Sequence, residues 1–591
     1  MTFRRFLSIT LFLLASNLIV VAQQNEHKTL KKELYFLASP ELKGRFPGTA
    51  EDKVTAMFLR TELQKLKLEM PFDNGLQAFN VVTSVDASPN NKLTINEKSA
   101  VYGTDFSLYA FSSNASHDGE LVFAGFGMVI KTDSLKRNDY ENLDVNGKWV
   151  LLLKGDPEPQ NNNSVFIPFA DARSKVMHAK DRGAKGVIFV SGTQNNKNDE
   201  LAPLLFERAV VSSGLPVIDI KRAFLDQVLT VPGLTTDSLE SRMIKGEKAS
   251  VFGLKIKASA TTELVRNEVT TYNIAGILTG SDPLLKNEYI IIGAHYDHLG
   301  MGGEGSGSRV PDTLAAHVGA DDNASGVVTV LELARRLTNS KDRPKRSVLF
   351  VLFGAEEMGL LGSRHFAKNL PFPAANAVAM LNFDMVGRLN ETKSVVVGGT
   401  GTSKETESIL NELSAQSKLK LSYSPEGFGA SDHASFYAEN IPVMFFSTGA
   451  HADYHTPADS PDKINYEGIA ELADFAEILA LNLANRERKL TFTEAGPKER
   501  NTGRRGFKVT LGIMPDFTST STDGLGVGGV TKGGPAERAG MKKGDKITGI
   551  NGMSIGTIYD YMNRLKQLKP GQRVNVDVVR NGETIILIVD L

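Results

Sequence analysis

Four short, fully apolar segments recur in the second half of the chain, at residues 289–294, 347–353, 377–383 and 442–447. Helical patterns separate them, for example at 327–337 and 466–484. Strands that are apolar on both faces and alternate with helices are typical of a mainly parallel sheet with helices on both faces. The pattern therefore predicts an α/β fold for this part of the chain.

The first half of the chain has a different pattern of apolar and polar residues. Residues 30–68 are predicted to be mostly helical, and residues 81–116 alternate in the manner of short strands. A small self-contained module, rich in short apolar strands, is predicted after them. Its predicted strands are 120–127, 149–154, 186–190 and 216–220, with a helical stretch at 170–182.

Beyond residue 486 a charged and polar stretch leads to a C-terminal segment of short strands with one helix near 558–568. These changes in the pattern of apolar and polar residues predict how the chain is divided into domains. The predicted parts are a signal peptide (1–22), a discontinuous α/β domain (23–117 and 260–488), an inserted domain (118–259), a linker (489–506) and a C-terminal domain (507–591).

The first residues resemble a targeting segment. Arg4 and Arg5 precede an apolar run at 6–21, and the small residues that end at Ala22 form an acceptable cleavage site. The run is shorter than the roughly 20 residues that a membrane span needs, and polar residues interrupt it. We therefore expect a cleaved secretory signal, a secreted or periplasmic protein, and no membrane attachment after cleavage.

Length and composition narrow the classes of function. The chain has 591 residues, which favours about three to five domains. Its net charge of −1 gives no electrostatic footprint for nucleic acid, so we expect no nucleic-acid partner. There is no cysteine, which excludes disulfides and thiolate ligands. Any metal site must use histidine, aspartate and glutamate.

Histidines and carboxylates follow the predicted strands of the α/β domain. Because the carboxyl ends of parallel strands share one edge of a sheet, these side chains are expected to converge there. Burying so many like charges is costly unless cations neutralise them. Two metal ions that share a bridging carboxylate suit this set better than one tetrahedral ion. The candidates are His295, Asp297, the pair Asp321-Asp322, Glu356, Glu357, Asp384 and His455.

Five motifs, in order along the chain, resemble those of the secreted dinuclear zinc aminopeptidases, whose wider family includes glutamate carboxypeptidase. The resemblance covers about residues 30–82 and 262–484 and implies the zinc exopeptidase fold and two zinc ions per chain. The motifs are His295-Tyr296-Asp297, residues 319–326 around Asp322, residues 355–363 with Glu356-Glu357, Asn382-Phe383-Asp384-Met385, and residues 454–459 with His455.

The resemblance also implies a role for each matching residue. Glu356 would be the general base, and Asp297 would orient His295 by accepting from its free ring N–H. Ser431-Asp432-His433 resembles a further family motif that lines the site. The implied metal ligands are His295 and Asp384 for one zinc ion, Glu357 and His455 for the other, and Asp322 as the bridge.

Two accessory modules carry resemblances of their own. Residues 118–259 resemble a protease-associated (PA) domain, in motifs such as residues 122–127 and 147–152, which implies a lid or substrate-sorting role or a passive insertion. Residues 507–591 resemble a PDZ domain, which implies capture of a peptide C-terminus by strand addition. The residues expected to hold that peptide are Leu511, Gly512, Ile513 and Met514.

The leading hypothesis is a secreted zinc aminopeptidase that acts on peptides or proteins with a metal-activated water and the base Glu356. A carboxypeptidase or dipeptidase on the same two-metal core is an alternative, and it would need a basic residue that holds a C-terminal carboxylate. A glutaminyl cyclase-like acyltransferase and a non-catalytic peptide-binding protein are two further alternatives. The complete ligand set and the pair Glu356-Glu357 argue against the last two.

Overall fold

The computed structural model describes most of the chain. The predicted signal peptide, residues 497–506 of the predicted linker and most of the predicted helix 558–568 lie outside the described residues. Within the described part, no helix is both long enough and apolar enough to cross a membrane. The described residues are 27–131, 135–161, 163–205, 213–229, 231–251, 254, 256–496, 509–515, 524–530, 534–555, 561, 564–565 and 568–591.

The helices agree closely with the apolar pattern. Helices are found at 27–37, Ala50–Lys65, Gly326–Asn339 and Tyr466–Asn485, where helical patterns are predicted. The α-helices are α1 (27–37), α2 (Ala50–Lys65), α3 (Ala172–Lys180), α4 (Arg222–Leu225), α5 (Thr236–Ile244), α6 (Gly326–Asn339), α7 (Leu361–Lys368), α8 (Thr406–Ser414), α9 (His433–Ala438), α10 (Tyr466–Asn485) and α11 (Pro535–Arg538).

The strands fall into three larger sheets and one small hairpin. They are β1 (Leu76–Ala87), β2 (Lys92–Ile95), β3 (Lys98–Ala100), β4 (Phe106–Leu108), β5 (Ala115–Phe123), β6 (Val129–Lys131), β7 (Lys136–Asn138), β8 (Trp149–Leu153), β9 (Gly186–Val190), β10 (Val217–Ile220), β11 (Ile256–Thr262), β12 (Leu264–Leu278), β13 (Tyr289–His295), β14 (Ser347–Phe353), β15 (Ala377–Phe383), β16 (Ser394–Gly398), β17 (Lys420–Ser424), β18 (Val443–Ser447), β19 (Ile513–Pro515), β20 (Leu525–Val530), β21 (Lys546–Ile550), β22 (Met553–Ser554), β23 (Arg573–Arg580) and β24 (Glu583–Asp590).

The first sheet has the order β1-β12-β14-β13-β15-β18-β16-β17. Its four central strands, which are the four predicted apolar segments, run parallel to one another. Alternate residues of these strands enter different cores: Ile290 and Ile292 pack with α6 and α10, whereas Ile291 packs with α7 and α9. The prediction of a mainly parallel sheet with helices on both faces is therefore confirmed for the centre of this sheet, and antiparallel strands flank it.

The second sheet has the order β3-β2-β11-β5-β8-β9-β10-β4, again with four parallel strands in the middle. Strands β2, β3 and β4 precede residue 118, where the inserted domain is predicted to begin, yet they pair within this sheet. Alternation along a strand reveals its buried face but not its partner. The domain boundaries themselves stay predictions.

Strand β5 begins and ends earlier than predicted. It ends at Phe123, whereas the apolar pattern predicts a strand through residue 127. Gly125 and Gly127 have φ values of 56° and 68°, a left-handed conformation that a strand does not contain. The third sheet contains β19, β20, β21, β23 and β24, with β22 paired to β21, and it has a core of its own around Leu511, Ile547 and Val576.

Candidate metal centre

The first part of the candidate site is the end of β13. His295 is the last residue of this strand and is almost fully buried. Its Nδ1–H donates to the backbone carbonyl of Asp297 (3.2 Å), so its Nε2 is left to face the site. A histidine whose outer nitrogen is held by a carbonyl presents the other nitrogen in a fixed direction, as metal-binding histidines do.

The carboxylate of Asp297 has a different partner from the predicted one. It lies 3.9 Å from Nδ1 of His295, too far for a hydrogen bond. It accepts instead from the backbone N–H groups of Glu356 (2.9 Å) and Glu357 (3.3 Å). Asp297 therefore orients His295 through its carbonyl oxygen, and its carboxylate holds the turn that follows β14.

The segment Ala320–Ser325 forms a turn ahead of α6 that carries Asp322, and its backbone is non-helical at Asp322 and Asn323. Two contacts fix the turn. The Oδ2 atom of Asp459 accepts from the backbone N–H groups of Asp321 (2.8 Å) and Asp322 (3.0 Å). The Nδ2–H of Asn323 donates to the carbonyl of Phe383, the last residue of β15 (2.9 Å). Asp322 is thereby held beside Asp384.

His455 reaches the site from a loop that follows β18. Its Nδ1–H donates to the carbonyl of Gly307 (3.1 Å), and its own carbonyl accepts from the N–H of Arg309 (3.0 Å). The glycine-rich loop at 302–307 therefore holds His455. As with His295, the Nε2 of His455 is left to face the carboxylates.

The predicted ligands come together in two groups that share Asp322. Nε2 of His295 lies 3.3 Å from Oδ1 of Asp322 and 3.5 Å from Oδ1 of Asp384. Nε2 of His455 lies 3.1 Å from Oδ2 of Asp322 and 3.3 Å from Oε1 of Glu357. The two oxygens of Asp322 thus belong to different groups, as a bridging carboxylate requires.

These distances fit two zinc ions. Ligand atoms about 2.0–2.1 Å from a tetrahedral ion are about 3.3 Å apart along each edge of the tetrahedron. The four distances within the groups, 3.1–3.5 Å, match that edge. In addition, Oδ1 of Asp384 is buried without a hydrogen-bond partner in the described part of the chain, which is costly unless a cation binds it.

The electrostatics of the site also favour a bound cation. Although burial opposes it, the surrounding carboxylates raise the pKa of His295 and of His455 well above the ordinary value. Burial also raises the pKa of Glu356 well above its ordinary value; nearby His295 opposes this shift, and Glu357 and Asp432 add to it. Glu356 therefore holds a proton more readily than an ordinary glutamate does, as a group that takes up and gives back a proton must.

Three further residues near the centre have no role predicted from the sequence. His298 is fully buried and contacts Glu357, and Asp459 anchors the turn that bears Asp322. Tyr454 stacks on His455, and burial together with the carboxylates raises its phenol pKa well above the usual value. Tyr454 and Asp459 lie within the motif at 454–459, and His298 directly follows the motif at 295–297, but the motifs alone do not indicate what these side chains contact.

Arg45 is also missed by sequence reasoning. It is 1% exposed, and its guanidinium donates to the carbonyls of Tyr296 (2.6 Å), Val318 (2.7 Å), Gly319 (3.1 Å) and Leu37. Although burial lowers its pKa to about 10, the group stays charged at neutral pH. It ties the end of β13 to the loop before Asp322 and places a positive charge behind the carboxylates.

The residues predicted to hold a peptide at the C-terminal domain lie together at β19. The side chains of Leu511 and Ile513 are buried in the core of this domain, and Met514 pairs with β20. Gly512 has a φ of 72°, and its N–H donates to Oγ1 of Thr510 (2.9 Å). Peptide capture there stays a prediction.

Comparison with known families decides what kind of protein carries this centre. Residues 273–479 match the model described as peptidase family M28, and this range contains every predicted metal ligand. By this match, the part of the chain that carries the centre is a peptidase family M28 domain. Residues 117–227 match the PA domain and residues 509–591 the PDZ domain, which confirms the two accessory resemblances.

Similar proteins include several bacterial enzymes. The chain is 25% identical to "Aminopeptidase YwaD" of Bacillus subtilis (strain 168) over 504 residues, which is 81% of this chain and 92% of that protein. It is 29% identical to "Leupeptin-inactivating enzyme 1" of Streptomyces exfoliatus, over 44% of this chain and 56% of that protein. Among solved structures, an aminopeptidase from Aneurinibacillus sp. strain AM-1 superposes with a TM-score of 0.48 at 23% identity, covering 80% of this chain and 96% of that one.

Proposed function

We propose that this M28 peptidase is a zinc-dependent aminopeptidase that removes N-terminal residues from peptides or proteins. The observation that carries the proposal is the pair of ligand groups that share Asp322, one containing His295 and the other His455, beside the buried Glu356. A centre of two metal ions next to a carboxylate of raised pKa suits hydrolysis of an amide bond.

This arrangement supports a proposed role for each residue. His295 and Asp384 would hold one zinc ion, His455 and Glu357 the other, and Asp322 would bridge them. When bound, the two ions supply Lewis acidity that polarises a peptide carbonyl and acidifies water. Glu356 takes a proton from the attacking water and passes it to the leaving amine.

Cleavage from the N-terminus, rather than from the C-terminus, rests on the relatives. The names of YwaD and of several fungal leucine aminopeptidases that match the chain are those of aminopeptidases. A carboxypeptidase would need a cation for the substrate's terminal carboxylate. The nearby guanidinium groups of Arg45 and Arg388 are already engaged, with backbone carbonyls and with Asp459 respectively.

The remaining functions belong to parts of the chain away from the centre. We propose that the PDZ domain binds the C-terminus of a peptide at residues 511–514 and that the PA domain controls access of substrates. A secreted or periplasmic location rests on the predicted signal peptide. These three statements are tested separately from the peptidase activity.

The test is hydrolysis of amino-acid arylamides and their N-acetylated counterparts, with and without a chelator. We expect cleavage of the free-amine substrates only, and its loss when zinc is removed. Glu356→Ala should lower kcat by roughly 10²–10⁴-fold, the usual contribution of a general base, while zinc remains bound. Glu391→Ala is the matched control, because Glu391 is exposed in a surface turn after β15.

Each result has a definite meaning. Cleavage of N-blocked peptides with free C-termini would replace the aminopeptidase by a carboxypeptidase. Binding of two zinc ions without turnover of either substrate class would favour a cyclase or a binding protein. Wild-type activity in Glu356→Ala would remove this residue from the mechanism.

A further inference from the structure

His298 is a histidine inside the centre that belongs to neither predicted ligand group. It follows β13 by three residues and is fully buried. Its Nδ1 lies 2.8 Å from Oε1 of Glu357 and 3.9 Å from Oδ2 of Asp322. The nitrogen therefore contacts one predicted zinc ligand and approaches the bridging one.

The distances separate His298 from the ligands. The atoms of the ligand groups are 3.1–3.5 Å apart, close to the edge of about 3.3 Å expected around tetrahedral zinc. The contact of His298 with Glu357, at 2.8 Å, is instead the length of a charge-assisted hydrogen bond, and its distance to Asp322, at 3.9 Å, is too long for an edge. His298 is thus placed as a donor to Glu357.

The orientation of the ring supports the same role. His295 and His455 direct Nδ1 to backbone carbonyls and Nε2 to the carboxylates. His298 is turned the other way, with Nδ1 on Glu357 and with Nε2 buried without a hydrogen-bond partner among the described residues. Because an ionised carboxylate only accepts, Nδ1 of His298 carries the hydrogen.

A second buried histidine shows what a purely structural role looks like. His317, also fully buried, uses both ring nitrogens, Nδ1 on the carbonyl of Ala315 (2.9 Å) and Nε2 on Oγ of Ser308 (2.8 Å). For His298, the contact with Glu357 is the one hydrogen bond of its ring in the described structure. Burying an imidazole costs free energy unless it is hydrogen-bonded, so the contact with Glu357 is what stabilises this ring in its buried position.

The chain also leaves room for this ring. Gly319 lies against it, and a Cβ atom at Gly319 would stand 2.6 Å from Cδ2 of His298. Gly319 has a φ of 53°, so a side chain there would also strain the backbone. The loop before Asp322 therefore accommodates His298 at the position where it reaches Glu357.

We propose that His298 is a positioning residue of the metal centre, whose Nδ1–H fixes the carboxylate of Glu357 in the orientation that binds the second zinc ion. The proposal rests on the dinuclear zinc centre proposed above. It predicts that His298 controls the affinity of one zinc ion and leaves the other unchanged.

The test measures zinc stoichiometry and affinity by competition with a chromophoric chelator. His298→Leu removes the donor, and His298→Asn keeps one, because the amide nitrogen of asparagine occupies nearly the place of Nδ1. His317→Leu is the matched control, since it also removes a fully buried histidine from the same loop region. Thermal unfolding of the metal-free variants reports loss of folding separately.

We expect the wild type and His317→Leu to bind two zinc ions with the same affinities. His298→Leu should lower the affinity for one zinc ion by about 10–100-fold, as loss of a partner that orients a metal ligand does. His298→Asn should bind both ions within a few-fold of the wild type, and its cobalt-substituted form should keep the wild-type absorption spectrum.

Two results would overturn the proposal. Loss of one ion, with a changed cobalt spectrum, in both His298 variants would make His298 a ligand. Wild-type affinities in His298→Leu would leave the ring only a packing role. If His298→Leu does not fold, the asparagine variant and its cobalt spectrum still distinguish a donor from a ligand. A wild type that binds fewer than two zinc ions would instead refute the proposed function.

Discussion

The first and second sheets share an architecture but not a chemistry. Each has eight strands with four parallel strands at the centre, flanked by antiparallel ones. Each is packed on both faces against separate cores, the second by α3 on one face and α4 with α5 on the other. Yet the metal centre lies at the first sheet alone among the described residues.

The difference lies in how charges at the two sheets are compensated. In the second sheet, Lys154 follows β8 and pairs with the fully buried Asp219 of β10 at 2.9 Å. In the first, Glu356, Glu357 and Asp384 follow their strands, and the side chains that pair with Glu357 and Asp384 are histidines. A parallel sheet supplies an edge where side chains meet, and the residue types decide whether that edge binds a cation.

The largest expected effect comes from comparing the same substitution at one aspartate of each sheet. Asp322→Asn should weaken the binding of both zinc ions. It should also lower kcat/KM by roughly 10³-fold or more, because metal ions contribute several kcal/mol to such a reaction. Asp219→Asn, the matched variant in the second sheet, should leave zinc binding unchanged. Metal analysis and kinetics of both variants check this, and retention of two zinc ions by Asp322→Asn would contradict the bridging role.

The next effect concerns stability of the second sheet. Lys154→Met leaves Asp219 buried without its cation and should destabilise this sheet by about 3 kcal/mol. The protein has one tryptophan, Trp149 of β8, and it is fully buried, so its fluorescence in denaturant reports this unfolding directly. An unchanged denaturation midpoint would mean that the pair contributes nothing.

The same variant should respond to pH. Burial raises the pKa of Asp219, and Lys154 opposes that shift, so Lys154→Met raises the pKa further. A carboxyl group with a raised pKa binds its proton more tightly in the folded state than in the unfolded state. The stability that this proton contributes is present at low pH and is lost as pH rises. The destabilisation should therefore shrink as pH falls. Adding Asp219→Asn to Lys154→Met should restore much of the stability at neutral pH.

The smallest effect tests how the first sheet's edge is held. Asp459→Asn weakens the acceptor that holds the backbone of Asp321 and Asp322 and should lower zinc affinity by about 10–100-fold. Asp453→Asn is the control, because Asp453 also contacts Arg388 but makes no hydrogen bond to that turn. Equal zinc affinities in the two variants would contradict a role for Asp459.

Local pattern was sufficient for much of the architecture. The runs at 347–353, 377–383 and 186–190 are strands with those same bounds, because an unbroken apolar run between turn signals has one stable solution in a covered parallel sheet. The convergence of His295, Asp322 and Asp384 follows from strand ends meeting at one edge. Their roles as ligands stay predictions.

Tertiary structure alone decided which groups hold these residues. Sequence reasoning assigned the carboxylate of Asp297 to His295, but the fold gives it to the N–H groups of Glu356 and Glu357. Strands β2–β4 joined the second sheet because pairing partners are selected across the sheet and not along the strand.

The sequence by itself determined the parallel strands of the first sheet, the accessory domains and the residue types at the site, because each depends on local periodicity or on motifs within a few residues. Only the tertiary structure revealed the contacts of Arg45 with Gly319, of His298 with Glu357 and of Asp459 with Asp321, which join segments that are 59 to 274 residues apart. A single charged residue in a sequence carries no signal of its burial. That depends on which distant carbonyls and carboxylates the fold brings to it.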